Sequence, residues 1–173
     1  MIKITEEQFK YFAENQEKLD SFMRVKRDIT TEDWDLSDFY IRAHTIALKN
    51  EVSEFVNECR DIWKYWKDQP VNPDKLIDEL VDVIHFLHLD FNKSHRNGIE
   101  FEFFVRQINE LIEELSEHET YALLYKLETY NSSYTIYACT LLVAHHYGIT
   151  MDDIKTAYDI KNAENFRRQK RGY

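Results

Sequence analysis

"PDKLIDELVDVIHFLHLDF" (73–91) carries the clearest periodicity in the chain, with Leu76, Ile77, Leu80, Val81, Ile84, Leu87 and Phe91 recurring at helical intervals. Residues three and four apart share one face of an α-helix, so this spacing lays down a single apolar stripe. Asn72 precedes the stripe as an N-cap, and Pro73 takes the first helical position, where its missing N–H costs no hydrogen bond. The run NKSHRNG (92–98) closes the segment. Beside the stripe stand two acids three residues apart, Glu79 and Asp82.

Working outward, the remainder reads the same way. Three glycines (Gly98, Gly148, Gly172) and two prolines (Pro70, Pro73) punctuate 173 residues, too few for the turns of a sandwich or a doubly wound sheet. The expected fold class is all-α, a bundle of about five to six helices in one domain spanning 1–173. Thr5 with Gln8 forms a capping box that opens a first helix carrying Phe9, Phe12, Leu19, Phe22 and Met23. Residues 26–36 read as a connection. After Ser37 a long helix passes Phe39, Ala43, Ile46, Ala47 and Phe55 toward Trp66, and QPVNP (69–73) ends it. Helices follow over roughly 100–117 (Phe104, Ile108, Leu111, Ile112, Leu115) and roughly 120–147, the latter open to interruption at Asn131, Ser132 and Ser133 and closing at Gly148. Thr150 with Asp153 starts the last helix, which runs into RRQKRGY (167–173).

The composition, 43% hydrophobic and 14% aromatic, suffices for one sizeable core. A formal charge of -10 argues against a protein that wraps duplex nucleic acid, so no direct nucleic-acid binding is expected. Cys59 and Cys139 are too few for a disulfide framework and sit in apolar segments as small hydrophobes, which suits a reducing, cytoplasmic setting. The first residues lack the pattern of an export signal, and no stretch approaches the roughly eighteen uncharged apolar residues of a membrane span.

"EVSEFVNECRDIWKYWK" (51–67) supplies a second acid pair, Glu51 and Glu54, again on one helix face and mutually repulsive. If the two acid-bearing helices pack antiparallel across the short QPVNP turn, Glu51, Glu54, Glu79 and Asp82 converge. Four oxygen ligands suit Mg²⁺ or Mn²⁺, whereas zinc favours Cys and His. Any one such pair in a chain with 32 acids is most simply a solvated helix face; two pairs in adjoining apolar-rich helices point to a metal site. Asp82-x-x-His85 raises a di-iron bundle as an alternative, but no second acid-x-x-His is suitably placed. His85, His88, His145 and His146 therefore read as buried or surface histidines. The chain has no GxxxxGK loop, so divalent ions are what would let so acidic a protein bind a polyphosphate.

Glu51-x-x-Glu54, 24 residues, then Glu79-x-x-Asp82 resembles the signature of the all-α nucleoside triphosphate pyrophosphatases, which include MazG-like proteins and dimeric dUTPases. KYWK (64–67), DELVDVIHF (78–86) and KNAENFRRQKRGY (161–173) are similar to the dimeric dUTPase branch in particular. That resemblance implies hydrolysis of dUTP to dUMP and pyrophosphate, with dUDP also accepted, by a homodimer using Mg²⁺. It implies that Glu51, Glu54, Glu79 and Asp82 hold metal and that Glu51 or Glu54 orients the attacking water. It also implies that Lys161, Asn165, Arg168 and Tyr173 contact phosphate, with Arg167, Lys170 and Arg171 adding positive charge. The plainer reading of the tail is a helix C-terminus whose macrodipole favours cations. Lys64 and Lys67 extend the clamp, and Trp66 walls the nucleotide or packs at an interface, as Trp63 and Tyr65 do.

Base recognition departs from the resemblance. The family places a Gln and, one turn later, an Asn in the first helix to read uracil; here Gln16 is followed by Asp20. An Asn amide donates and accepts, whereas an ionised Asp only accepts, so Asp20 disfavours uracil O4 and suits the amino group of cytosine. This leaves open a pyrophosphatase for dCTP or another nucleotide. Phe86 offers a stacking surface for base or sugar, or simply packs in the core. From a different class, a non-enzymatic helical binding module would use the same fold with acids that hold no metal.

Overall fold

A computed structural model describes residues 1–172, and Tyr173 lies outside the described residues. Among these residues the secondary structure consists of nine α-helices: α1 (Glu6–Lys26), α2 (Thr31–Leu36), α3 (Asp38–Glu58), α4 (Arg60–Trp63), α5 (Pro73–Arg96), α6 (Phe101–Leu115), α7 (Thr120–Thr129), α8 (Ser133–His146) and α9 (Met151–Arg171). The caps read from the sequence are made. Thr5 Oγ1 accepts from the Gln8 amide at 3.2 Å while Gln8 Oε1 accepts from the Thr5 amide at 3.0 Å. Asn72 Oδ1 accepts from the amides of Asp74 and Lys75, Thr150 and Asp153 form a second capping box, and Gly148 follows α8 in the left-handed region at φ +74°.

Nine helices exceed the expected five to six because three short elements carry too little periodicity to be seen. Residues 26–36, expected as a connection, contain α2, capped by Thr30 and anchored by the buried Trp34 against His44. The helix expected to run from Ser37 toward Trp66 breaks at Cys59, whose backbone (φ −75°, ψ 41°) leaves the helical region before the single turn of α4. The stretch 120–147 divides at Tyr130–Ser132, where the Ser132 hydroxyl caps α8. The face of α3 also differs: Leu48, Val52, Phe55 and Val56 are buried, while Phe39 and Ile46 are 70% and 69% exposed. With about 100° of rotation per residue, Leu48 lies about 200° round the helix from Ile46, so the buried stripe is on nearly the opposite face from Phe39 and Ile46.

The stripe on α5 is the centre of the core. Leu76, Leu80, Val81, Ile84, Leu87 and Phe91 are all buried, and α5 packs on α1, α3, α8 and α9. Cross-helix pairs give the directions. His44 meets Lys93 while Glu51 meets Asp82, so α3 and α5 run antiparallel; Ala13 meets Asn92 while Gln16 meets His85, so α1 also opposes α5. Phe12 meets Tyr158 and Phe22 meets Phe166, so α9 runs parallel to α1. This arrangement surrounds the acidic middle of α5 with α1, α3 and α9. None of the described helices is long and apolar enough to cross a membrane.

Because Leu80 is fully buried in the apolar stripe of α5, Leu80→Ala is expected to cost about 2–5 kcal/mol of stability through lost burial and an unfilled cavity. Urea denaturation followed by far-UV circular dichroism would measure this as a lowered midpoint.

Candidate active site

The antiparallel packing of α3 on α5 places one carboxylate oxygen from each of Glu51, Glu79 and Asp82 within 4.8 Å of the others. All three are half-buried. Burial, followed by the charges of Asp82, Glu54 and Glu79, pushes the Glu51 carboxyl up to about 7. Glu79 and Asp82 are raised too, burial again being the largest cause. Such a cluster is costly as free anions and is relieved by a proton or a cation. Lys161 of α9 supplies one cation: its Nζ lies 2.6 Å from Asp82 and 2.8 Å from Asp78. The donor set, all carboxylate oxygen with no sulfur or imidazole, fits a hard divalent ion. Glu54 stands apart from the triad, exposed to solvent, with Oε1 accepting from Asn50 Nδ2 at 2.6 Å.

Glu51 and Asp82 of the cluster line a cavity of about 300 Å³ between α1, α3, α5 and α9. Of the residues expected at the site, Gln16, Glu51, Asp82, Phe86, Lys161, Asn165 and Arg168 line it together. Arg168 also lies 3.3 Å from Glu164. Sequence reasoning missed Leu19, Met23, His85, Leu89 and Gln169, which line the same cavity. Helical spacing could have found them. Leu19 and Met23 follow Gln16 on one face, His85 and Leu89 follow Asp82, and Gln169 is four residues beyond Asn165.

Behind the cavity runs a buried polar chain. Asp20 is 0% exposed, and its Oδ1 accepts from Gln16 Nε2 at 2.7 Å. Gln16 Oε1 in turn pairs with His85 Nδ1 at 2.6 Å. The His85 ring stacks on Tyr158 with 4.1 Å between centroids. Burial pushes Asp20 up to about 7, overcoming the Gln16 hydrogen bond, and pushes His85 down to about 3.

Glu79 of the acidic cluster and Glu54 do not line the cavity, and three further expected residues are not brought to it. Asp20 lies behind Gln16 and does not line it. Lys64 is buried, with Nζ bonded to the Asn57 side chain and lying over the Trp63 ring. Trp66 is exposed beyond α4, edge-on to Trp63 and Tyr65. The break at Cys59 carries both Lys64 and Trp66 away from the line of α3. His85 and His88 are buried and His145 and His146 exposed, and among the described residues the acidic triad is the group placed to hold a metal ion.

A family model described as dUTPase matches residues 8–173 of the chain. No curated protein matches it significantly.

A divalent cation at the triad would compete with protons for the same oxygens. With Glu51 raised to about 7, its carboxyl is charged above that pH and neutral below it, so cation binding weakens as pH falls through about 7. The rise in melting temperature on adding Mg²⁺ is therefore expected to be larger at pH 8 than at pH 6, measured by differential scanning fluorimetry. Equal rises at both would remove the triad as the binding site.

Proposed function

The chain belongs to the all-α dUTPase family and is a dUTP-hydrolysing enzyme, and from that premise we propose that it is a Mg²⁺-dependent dUTP diphosphatase working in the cavity between α1, α3, α5 and α9. The observation that carries this reading is that Glu51 and Asp82 of the carboxylate triad line one cavity together with Lys161, Asn165 and Arg168 and with the apolar side chains of Phe86, Leu19, Met23 and Leu89. A nucleotide brings the same combination, a charged polyphosphate and a flat ring whose faces pack on apolar side chains. The products are dUMP and pyrophosphate; dUDP, with one phosphate fewer, gives dUMP and phosphate.

Glu51, Glu79 and Asp82 would hold the divalent ion, which when bound neutralises phosphate charge and acidifies water. The protein supplies the rest. Glu54, one turn from Glu51 and outside the triad, accepts the proton of the attacking water, a role supported by its charge acting on both Glu51 and Glu79. As the water oxygen bonds to phosphorus, the anhydride between the α and β phosphates breaks. Lys161, Asn165 and Arg168 grip phosphate oxygens; Lys161, already bonded to Asp82, links the phosphate end to the acids. Phe86, half-buried on the cavity wall, packs against the sugar or base. Asp20 is not offered to a cytosine amino group, because it does not line the cavity, and this supports dUTP over dCTP.

The enzyme acts as a homodimer in this reading. Support comes from Leu36, Phe39, Ile41 and Ile46, which α2 and α3 leave exposed as an apolar surface suited to a partner. A cytoplasmic setting is supported by two buried free thiols, Cys59 and Cys139, each raised to about 12 by burial and so kept unreactive.

Pyrophosphate release from dUTP, dCTP, dTTP and UTP, with and without Mg²⁺, tests the reading; selective release from dUTP that requires the metal is expected, and metal-independent or unselective release contradicts it. Glu79→Gln removes one charged oxygen from the triad and is expected to lower kcat by about a hundredfold or more with an unchanged helical spectrum.

A further inference from the structure

Lys161 is held by two carboxylates, and only one of them belongs to the acidic triad. Its Nζ lies 2.6 Å from Asp82 and donates to Asp78 Oδ2 at 2.8 Å. Asp78 and Asp82 are four residues apart on α5, so they stand one above the other on one face and present a pair of anchors one turn apart. The three side chains differ in their surroundings. Lys161 is 11% exposed and Asp82 18%, while Asp78 is 54% exposed. Asp78 is not among the acids placed to hold a metal, and it does not line the cavity.

Asp82 carries two demands. It offers an oxygen to the triad, and its Oδ2 lies against the Lys161 ammonium. A divalent ion at the triad would draw Asp82 to itself and repel the ammonium beside it. A lysine with Asp82 as its sole anchor would then swing, since its four-carbon stem has many rotamers and its point charge fixes no direction. Asp78 supplies an anchor outside the triad, on the preceding turn of a helix that the apolar core holds in place. Lys161 shares a face of α9 with Asn165 and Arg168, at successive spacings of four and three residues, and all three line the cavity. Where the Lys161 ammonium is held therefore decides whether that row meets a phosphate together.

We propose that Asp78 is a positioning residue for the reaction: from outside the cation site it anchors the Lys161 ammonium, so that Lys161 keeps its place beside the phosphates when Asp82 binds the metal. This rests on the nucleotide reading of the cavity given above. An ion pair with one half-exposed partner contributes little to folding stability, because solvent screens it and ordering two side chains costs entropy. The effect of Asp78 is felt in binding instead, through the place it gives to Lys161. Its direct Coulomb effect has the opposite sign. An acid near a polyphosphate repels it, so an Asp78 acting by charge alone would weaken nucleotide binding, and its removal would strengthen it.

Calorimetric titration of the full-length protein with a non-hydrolysable dUTP analogue at saturating Mg²⁺ tests this, with Asp78→Asn, Lys161→Met and the two combined forming a double-mutant cycle. Asp78→Asn is expected to raise Kd about fivefold or more while leaving the melting temperature little changed. Asp78→Glu, which keeps the anion, is expected to hold Kd within about twofold of the unmodified protein's, and so is Asp78→Asn relative to Lys161→Met when made in that background. An unchanged or lowered Kd in Asp78→Asn overturns the proposal. So does an equal rise with and without Lys161, which would give Asp78 a role that does not pass through Lys161. Failure of the nucleotide reading shows separately, as an unmodified protein that binds no analogue and releases pyrophosphate from no nucleotide, and it takes this role of Asp78 with it.

Discussion

Three carboxylates held within 4.8 Å of one another in a half-buried setting repel, and the packing of α3 on α5 has to overcome that repulsion. The apolar stripe of α5 does so. Leu76, Leu80, Val81, Ile84 and Leu87 bury on one side of the helix, and the acids at Glu79 and Asp82 are carried on its flank to meet Glu51. Hydrophobic burial scales with area and has no direction, so it can hold like charges together while leaving them in want of a cation. Lys161 meets part of that demand from α9, which is why the terminal helix belongs to the site although it lies far from the acids in sequence. The raised Glu51 carboxyl is the mark of the same conflict.

Around this centre the helices divide the labour. α3 and α5 bring the acids, α9 the cations, and α1 the polar groups behind the cavity. The parallel course of α1 and α9, joined by Phe12 with Tyr158 and Phe22 with Phe166, keeps Gln16 and Lys161 on the same cavity wall. Tyr158 serves both purposes. Its ring stacks on His85 and its hydroxyl donates to the Phe12 carbonyl at 3.2 Å, so the helix that brings Lys161 to the acids also holds the buried histidine.

Much of this was legible in the sequence because it rests on local rules. The scarcity of glycine and proline, the 3.6-residue period of α5, the Thr5–Gln8 and Thr150–Asp153 boxes and the Asn72–Pro73 start each follow from backbone chemistry within one element. The two acid pairs were legible as a constellation, and Glu51, Glu79 and Asp82 come together across the short connection as antiparallel packing requires. What could not be read depends on contacts between elements. The six residues of α2 have no period of their own and form around Trp34, whose partner His44 is ten residues on. The break at Cys59 turns on a single residue's dihedrals and takes Lys64 and Trp66 off the line of α3. Asp20 was visible as a residue out of pattern, but only the fold shows that it is buried and bonded to Gln16.

Glu51, Glu79 and Asp82 are proposed to form one divalent-cation site beside the cavity that takes the nucleotide. Anomalous diffraction from crystals grown with Mn²⁺ and a non-hydrolysable dUTP analogue tests it most directly. The expected result is an anomalous peak within coordination distance of all three carboxylates, with the phosphates toward Lys161 and Arg168. A peak elsewhere, or a nucleotide bound with no metal at the triad, would contradict the account.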